Sequence, residues 1–500
     1  MKKLSVFLAT VLLLMQAAGC AVQDREAAPA PSVVQRTETV VAQDIDPQEN
    51  YPMENPGAQE ELTAPELTEK PATPVSTAPS VKEEEPAPSV SEKEEKAEQQ
   101  APAQPEKEPQ TESKEPEKTE TPKEPDIPVS TVKNTLGEMR AVWISYFEYG
   151  SLLTGQSESS FTANVGAAFD TVKQTGLNTV IVQVRPYSDA LYNSQYFPWS
   201  YLAAGTEGKN PGFDPLEIMV REAHKRGLEI EAWINPYRVR SSGYKQALSE
   251  ENPAKAMVRS GDAIEWNGGI YYDPASKKAQ ELIVNGVQEI VANYDVDGIH
   301  FDDYFYPTTD AAFDADSYKQ YKNSGGKLAL ADWRRENVNQ LIKQVYAAVK
   351  QEDSSVRFGV SPQGNLSNNY NQQFIDVELW LSTGGYVDYI CPQIYFGFNN
   401  GSCPYAETVA QWNNLIRVSG IDLYVGLSPF KLGQEDTWAG NGKNEWKNTT
   451  DILQRMVETA REEEKYQGFV LFRYDSLFQP AGSVKEQVAV ELKNLKDILK

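Results

Sequence analysis

Residues 277–304 read KKAQELIVNGVQEIVANYDVDGIHFDDY. Leu282, Ile283, Val287, Ile290 and Val291 recur at the spacing that turns one helical face toward a sheet, so the run from Lys277 to Asn293 is an amphipathic helix. Asp297-Gly298 then turns the chain into a short strand, Gly298–Asp302, along which side chains alternate. Ile299 and Phe301 take the face that packs on helices. His300, Asp302 and Tyr304 take the other, and Asp303 points elsewhere unless the strand has already ended. A helix feeding a strand that ends in polar groups is the repeating unit of an α/β barrel, whose chemistry sits at the strands' C-terminal ends.

Working outward, the same unit recurs. Strands are expected near Met139–Tyr146, Thr179–Val184, Glu229–Ile234, Gly298–Asp302, Arg357–Ser361, Tyr386–Pro392, Tyr424–Leu427 and Gly468–Arg473. Eight strands alternating with helices predict an α/β fold, a (β/α)8 TIM-type barrel over residues 134–500. One helix is bracketed by its own chemistry: Asp214 as N-cap, Pro215 at the first helical position, Glu217 as capping-box acid and Gly227 as stop. His224 falls in its last turn and reads as a surface or packing residue. The long connection after the third strand carries Trp266, Tyr271 and Tyr272 on the face where barrel enzymes do their chemistry.

Ahead of the barrel the composition changes. Lys2 and Lys3, an apolar run from Leu4 to Met15 and the small residues Ala17-Ala18-Gly19 read as an export signal over residues 1–19. Cys20 follows directly and resembles a lipobox cysteine, the site of lipidation, although Ala17 stands where Leu is usual; a plain secretory peptide is the alternative. The apolar run is shorter than the ~20 residues a bilayer span needs. Residues 20–133 are rich in Pro, Glu, Lys, Ser and Thr with Tyr51 as their one aromatic, which cannot offset ordering entropy, so a disordered linker is expected. Such a chain spans about 60 Å root-mean-square.

The net charge of −25 is shared between linker and barrel, the wrong sign for nucleic acid. The chain has two histidines, His224 and His300, too few for HExxH zinc sites and most Ser-His-Asp schemes. Besides Cys20 only Cys391 and Cys403 occur, leaving either one bridge or two free thiols. No Gly-rich phosphate loop or dinucleotide fingerprint is present, so no cofactor is expected.

Polar and aromatic residues mass at seven strand ends: Ser145-Tyr146-Phe147-Glu148, Gln183-Val184-Arg185-Pro186-Tyr187, Trp233-Ile234-Asn235-Pro236-Tyr237-Arg238, His300-Phe301-Asp302-Asp303-Tyr304, Ser361-Pro362-Gln363-Gly364-Asn365, Gln393-Ile394-Tyr395 and Arg473-Tyr474-Asp475. Between Glu138 and about Leu477 the stretches MRAVWISYFE, NTVIVQVRPYSDALY, EIEAWINPYR, DGIHFDDYFYP, FGVSP and YICPQIYF resemble the glycosyl-hydrolase-like family 10 of bacterial envelope proteins. The resemblance implies a (β/α)8 fold and hydrolysis of peptidoglycan glycan, including strands stripped of stem peptides. The fourth-strand motif also resembles the chitinase signature Asp-Gly-x-Asp-x-Asp-x-Glu. Asp297, Gly298 and Asp302 match, but His300 replaces the second acid and Tyr304 stands at the catalytic Glu.

Most glycosidases flank the scissile bond with two carboxyls, ~5–5.5 Å apart for retention or ~6.5–9.5 Å for inversion. Asp302 is the first candidate for nucleophile or base, with a structural pairing to Arg185 or Arg238 as its alternative. Asp303 is a candidate for the second acid if the strand breaks there; Asp475 and Glu148 are candidates from across the mouth. Glu231 lies four residues below Asn235, roughly 13 Å deeper, and Asp388 is similarly low, so both read as structural. Arg185, Asn235, Arg238, Gln393 and Arg473 are candidate donors to sugar hydroxyls and acetamide oxygens, and His300 shares their lumen. Tyr187, Trp199, Trp233, Tyr237, Tyr304 and Tyr395 are candidate ring platforms, with Trp143 as core. Two other readings remain: a glycan-binding barrel without turnover, and a metal site on Asp302, Asp303 and Asp310.

Overall fold

Apolar, β-branched strands bounded by polar turns favour a parallel sheet covered on its outer face by helices. The computed structural model describes residues 137–243 and 247–500. The expected signal, Cys20 and the whole of the expected linker lie outside the described residues. Eight parallel strands close a barrel: β1 Met139–Ile144, β2 Thr179–Arg185, β3 Glu229–Ile234, β4 Gly298–Phe301, β5 Arg357–Val360, β6 Tyr389–Ile390, β7 Asp422–Leu427 and β8 Tyr466–Leu471. β8 closes on β1 in the register Met139–Gly468 to Val142–Leu471. Each expected strand is present, with ends shifted by a few residues.

Period-two alternation sorts the strand side chains into two layers. Val142, Ile144, Val180, Val182 and Ile299 face outward into the layer packed by helices. Met139, Ala141, Trp143, Ile181, Trp233 and Val470 form a separate cluster inside the lumen. Glycines make room for the larger lumen groups: a Cβ at Gly298 would lie 2.7 Å from the Glu231 carboxyl carbon, and one at Gly359 would overlap the Tyr389 ring. The lumen is thus a packed core up to the level of the strand ends.

The helices follow their sequence signals. Asp214 accepts from the N–H groups of Leu216 and Glu217 and caps Pro215–His224, the short helix between β2 and β3. Lys277–Asn293 follows β3 and Leu330–Glu352 follows β4. His224 contacts Asp297 at 3.0 Å, and the same Asp297 oxygen accepts from Ile230 N–H at 2.8 Å. Asp297, the first acid of the DGIHFDDY motif, therefore ties β3 to the base of β4. The β3–β4 connection adds a three-stranded antiparallel sheet of Arg238–Arg240, Gly269–Tyr272 and Ala263–Trp266. Its hairpin turns through Asn267 and Gly268, both at positive φ (46° and 81°), as a tight two-residue turn requires. Among the described residues no helix is long and apolar enough to cross a membrane.

Candidate active site at the barrel mouth

β4 ends at Phe301, so Asp302 and Asp303 sit on consecutive residues past the last ladder hydrogen bond. Alternation lapses there, and both side chains line one open cavity at the C-terminal mouth. Asp302 leans toward β3: its Oδ2 accepts from Trp233 Nε1 at 3.1 Å and Asn235 Nδ2 at 2.5 Å, and its Oδ1 from Tyr304 N–H at 3.2 Å. Asn235 is held in turn, its Oδ1 accepting from Gln183 Nε2 at 2.6 Å. Asp303 leans the other way, its Oδ1 accepting from Gln393 Nε2 at 2.9 Å.

Burial, and then the neighbouring Asp303, push the Asp302 carboxyl up to about 7. Burial also raises Asp303, against hydrogen bonds from Gln393 and Gln363. Adjacent buried carboxyls oppose each other's ionisation, so the two titrate together and the proton of the pair is held to higher pH. Arg238 lies beside them, its guanidinium 4.7 Å from the Tyr304 ring centre and 4.8 Å from that of Tyr187, with Nε donating to the Pro186 carbonyl.

The facing wall is aromatic. β1 supplies Trp143 and leads into Tyr146 and Phe147, β8 leads into Phe472, and the loop after β7 adds Phe430 and Trp438. Trp143, expected as core, forms part of this lining and is fixed from beneath. Its Nε1 donates to His300 Nε2 at 3.1 Å, and His300 Nδ1 contacts the Tyr389 hydroxyl at 2.8 Å. Tyr389 donates to Glu231 at 2.5 Å, and Glu231 lies 3.1 Å from Arg357. Burial lowers His300 to about 3, so it is a neutral imidazole in this chain of contacts.

The sequence profile of the family described as Glycosyl hydrolase-like 10 matches residues 138–448. The chain belongs to this family. Glycosyl hydrolase YngK of Bacillus subtilis (strain 168) is 33% identical over 381 residues, 71% of this chain and 72% of that protein. Glycosyl hydrolase DigH of Escherichia coli (strain K12) is 32% identical over 397 residues, 72% of this chain and 88% of its own length. The solved glycoside hydrolase domain of PgaB (BpsB) from Bordetella bronchiseptica aligns with a TM-score of 0.48 at 13% identity, over 71% of this chain and 99% of that one. The fold rests on the barrel closure described above.

In this member of the Glycosyl hydrolase-like 10 family the cavity brings together Asp302, Asp303, Trp233, Arg238, Tyr304, Gln393 and Tyr395 from the sequence-derived set. Other candidates lie away from it. Asp475 pairs with Arg473 at 3.4 Å, and Arg473 in turn bonds Glu148, whose other oxygen accepts from Ser145. Those three close on one another, and none of them lines the cavity. Arg185 is turned outward by a register shift between Gln183 and Arg185; it stacks on Phe197 at 4.3 Å and lies against Gly286 of the Lys277–Asn293 helix. Tyr237 is fully buried against Phe305. His300 and Asn235 act from beneath, Tyr187 stands behind Arg238, and Trp199 belongs to a bridge with Ala190. Asp310 caps Ala312 on an exposed loop, and among the described residues no three His, Cys, Asp or Glu side chains are placed to hold a metal. Cys391 and Cys403 are free thiols, the second lining the cavity.

Sequence reasoning missed the loop after β7, which contributes Phe430, Lys431, Asp436 and Trp438. Lys431 donates to Asp436 at 2.7 Å, and Trp438 is half exposed at the rim. The available signal was a Phe and a Trp in a loop at the C-terminal face of the barrel; the strand end itself carries no polar cluster.

Proposed function

We propose that this chain is a glycoside hydrolase that cleaves glycosidic bonds in peptidoglycan glycan strands, peptide-free strands included, while anchored to the cell envelope through a lipid on Cys20. The observation that carries the reading is the Asp302–Asp303 pair, two carboxyls whose burial favours the protonated form, side by side past the end of β4 and open to a cavity walled by aromatic rings. The protonated member donates to the glycosidic oxygen as the C–O bond breaks. Its ionised neighbour and the rings' negative faces stabilise the positive charge that develops on the sugar. Trp143, Trp233, Tyr395 and Phe472 offer flat faces for sugar rings, and the amides of Gln363, Asn365 and Gln393 suit hydroxyl and acetamide groups. Membership of a glycosyl-hydrolase-like family supports the reaction class. The export-type N-terminus supports the envelope, where peptidoglycan glycan is the polymer at hand.

The test is incubation of the mature chain with peptidoglycan glycan, with and without stem peptides, beside Asp302→Asn, with products read by mass spectrometry. Short muro-oligosaccharides from wild type and none from the variant support the reading. Retained glycan with no products from either protein would instead make this a binding module, the reading favoured by Tyr304 at the chitinase Glu position. Anchoring is tested by fractionation: Cys20→Ala should move the protein out of the membrane fraction.

A further inference from the structure

The placement of acids around the mouth restricts how a glycosidic bond can be broken here. In the strand order of the barrel, β4 stands opposite β8, with β1 and β7 on either side of β8. Asp302 and Asp303 both rise from the end of β4, on one side of the cavity. The wall opposite is Trp143, Tyr146, Phe147 and Phe472, and the two acids near it, Glu148 and Asp475, close on Arg473 outside the cavity. One further acid among the described residues lines the cavity, Asp436, and the Lys431 ammonium holds it at 2.7 Å. A double-displacement or inverting glycosidase needs a second carboxyl across the anomeric carbon from the acid. This mouth offers aromatic rings there.

We propose that cleavage is substrate-assisted and that the substrates are sugars whose 2-acetamido group lies trans to the leaving oxygen, with the acetamido carbonyl oxygen as nucleophile. The inference rests on the glycosidase reading above and names its nucleophile. The acetamido oxygen forms a bond to C1 as the bond from C1 to the leaving oxygen breaks, and the leaving oxygen takes the proton held by the pair. The other carboxylate holds the acetamido N–H of the cyclic oxazolinium ion. Water, deprotonated by the acid that has just given up its proton, then opens the ring at C1, returning the acetamide and the original anomeric configuration. Burial raises both carboxyls, and the donor geometry divides the roles: Asp302 accepts from three N–H groups and suits the ionised partner facing the acetamide, whereas Asp303, approached by the Gln393 and Gln363 amides, carries the proton.

The experiment uses the mature chain, peptide-free peptidoglycan glycan and the same glycan chemically de-N-acetylated, with product anomers followed by NMR and a sugar thiazoline as mimic of the cyclic intermediate. The expected result is hydrolysis with retention, competitive inhibition by the thiazoline, and at least a hundredfold loss of kcat on the de-N-acetylated strands. Asp303→Asn should recover turnover on aryl glycosides, which leave without protonation, whereas Asp302→Asn should not. Hydrolysis with inversion, or hydrolysis indifferent to the acetamide and the thiazoline, would overturn the mechanism and leave the glycosidase reading standing. Loss of turnover in Asp436→Asn with rescue by azide would do the same, by placing the nucleophile on Asp436. No hydrolysis of the acetamido glycan at all would overturn both.

Discussion

Two carboxyl groups on neighbouring strands of this barrel, Asp302 past the end of β4 and Glu231 in β3, are both pushed up to about 7, and in both burial is the main cause. Their surroundings then diverge. Glu231 is sealed in the lumen, accepts from Tyr389 at 2.5 Å and faces Arg357 at 3.1 Å. Asp302 lies at the level where side-chain packing stops, beside a second acid and in contact with a cavity. A raised carboxyl therefore does not by itself mark a reactive group. The same desolvation serves architecture where nothing can enter and chemistry where a ligand can.

The sharpest way to break the comparison is to exchange each acid for a neutral group. Asp302→Asn should lower kcat by ~10³-fold with little change in melting temperature, because the amide oxygen still accepts from Trp233 and Asn235. A comparable loss in Glu231→Ala at full stability would erase the distinction. Glu231→Ala is instead expected to lose about 3 kcal/mol in denaturant unfolding, by opening a cavity in the lumen and leaving the buried Tyr389 hydroxyl without its acceptor while Arg357 keeps Glu229, with kcat of the folded fraction near wild type.

pH separates the two sites next. The Asp302–Asp303 pair gives up its proton as pH rises past about 7, so kcat/KM should fall tenfold per unit above that value. Glu231 acts on stability: its folded value is raised from 4.5 to about 7, so its contribution is full below 4.5 and lost as pH rises through 7. Wild type should therefore lose melting temperature relative to Glu231→Gln across that window, and a flat difference would mean that Glu231 is ionised throughout. The smallest effect is expected at the rim, where Trp438→Ala should raise KM by the equivalent of about 1 kcal/mol on long glycans, with kcat unchanged.

Short-range pattern was enough for the scaffold. Alternation placed Ile299 and Phe301 outward and His300 and Asp302 inward, and the cap chemistry at Asp214 located a helix start, because these signals depend on neighbours a few residues away. The depth of Glu231 followed from strand rise alone. What the sequence could not carry were facts that depend on distant segments meeting. The register shift that turns Arg185 outward arises from pairing between β2 and β3. The closure of Glu148, Arg473 and Asp475 joins residues more than three hundred positions apart, so those acids read as reachable until the β1–β8 seam is formed. Sequence determined that this chain is a barrel with acids at the mouth, because periodicity is local. Tertiary structure alone decided which acids face the cavity, because that choice belongs to the groups that bury, pair or expose each carboxyl once all eight strands are in place.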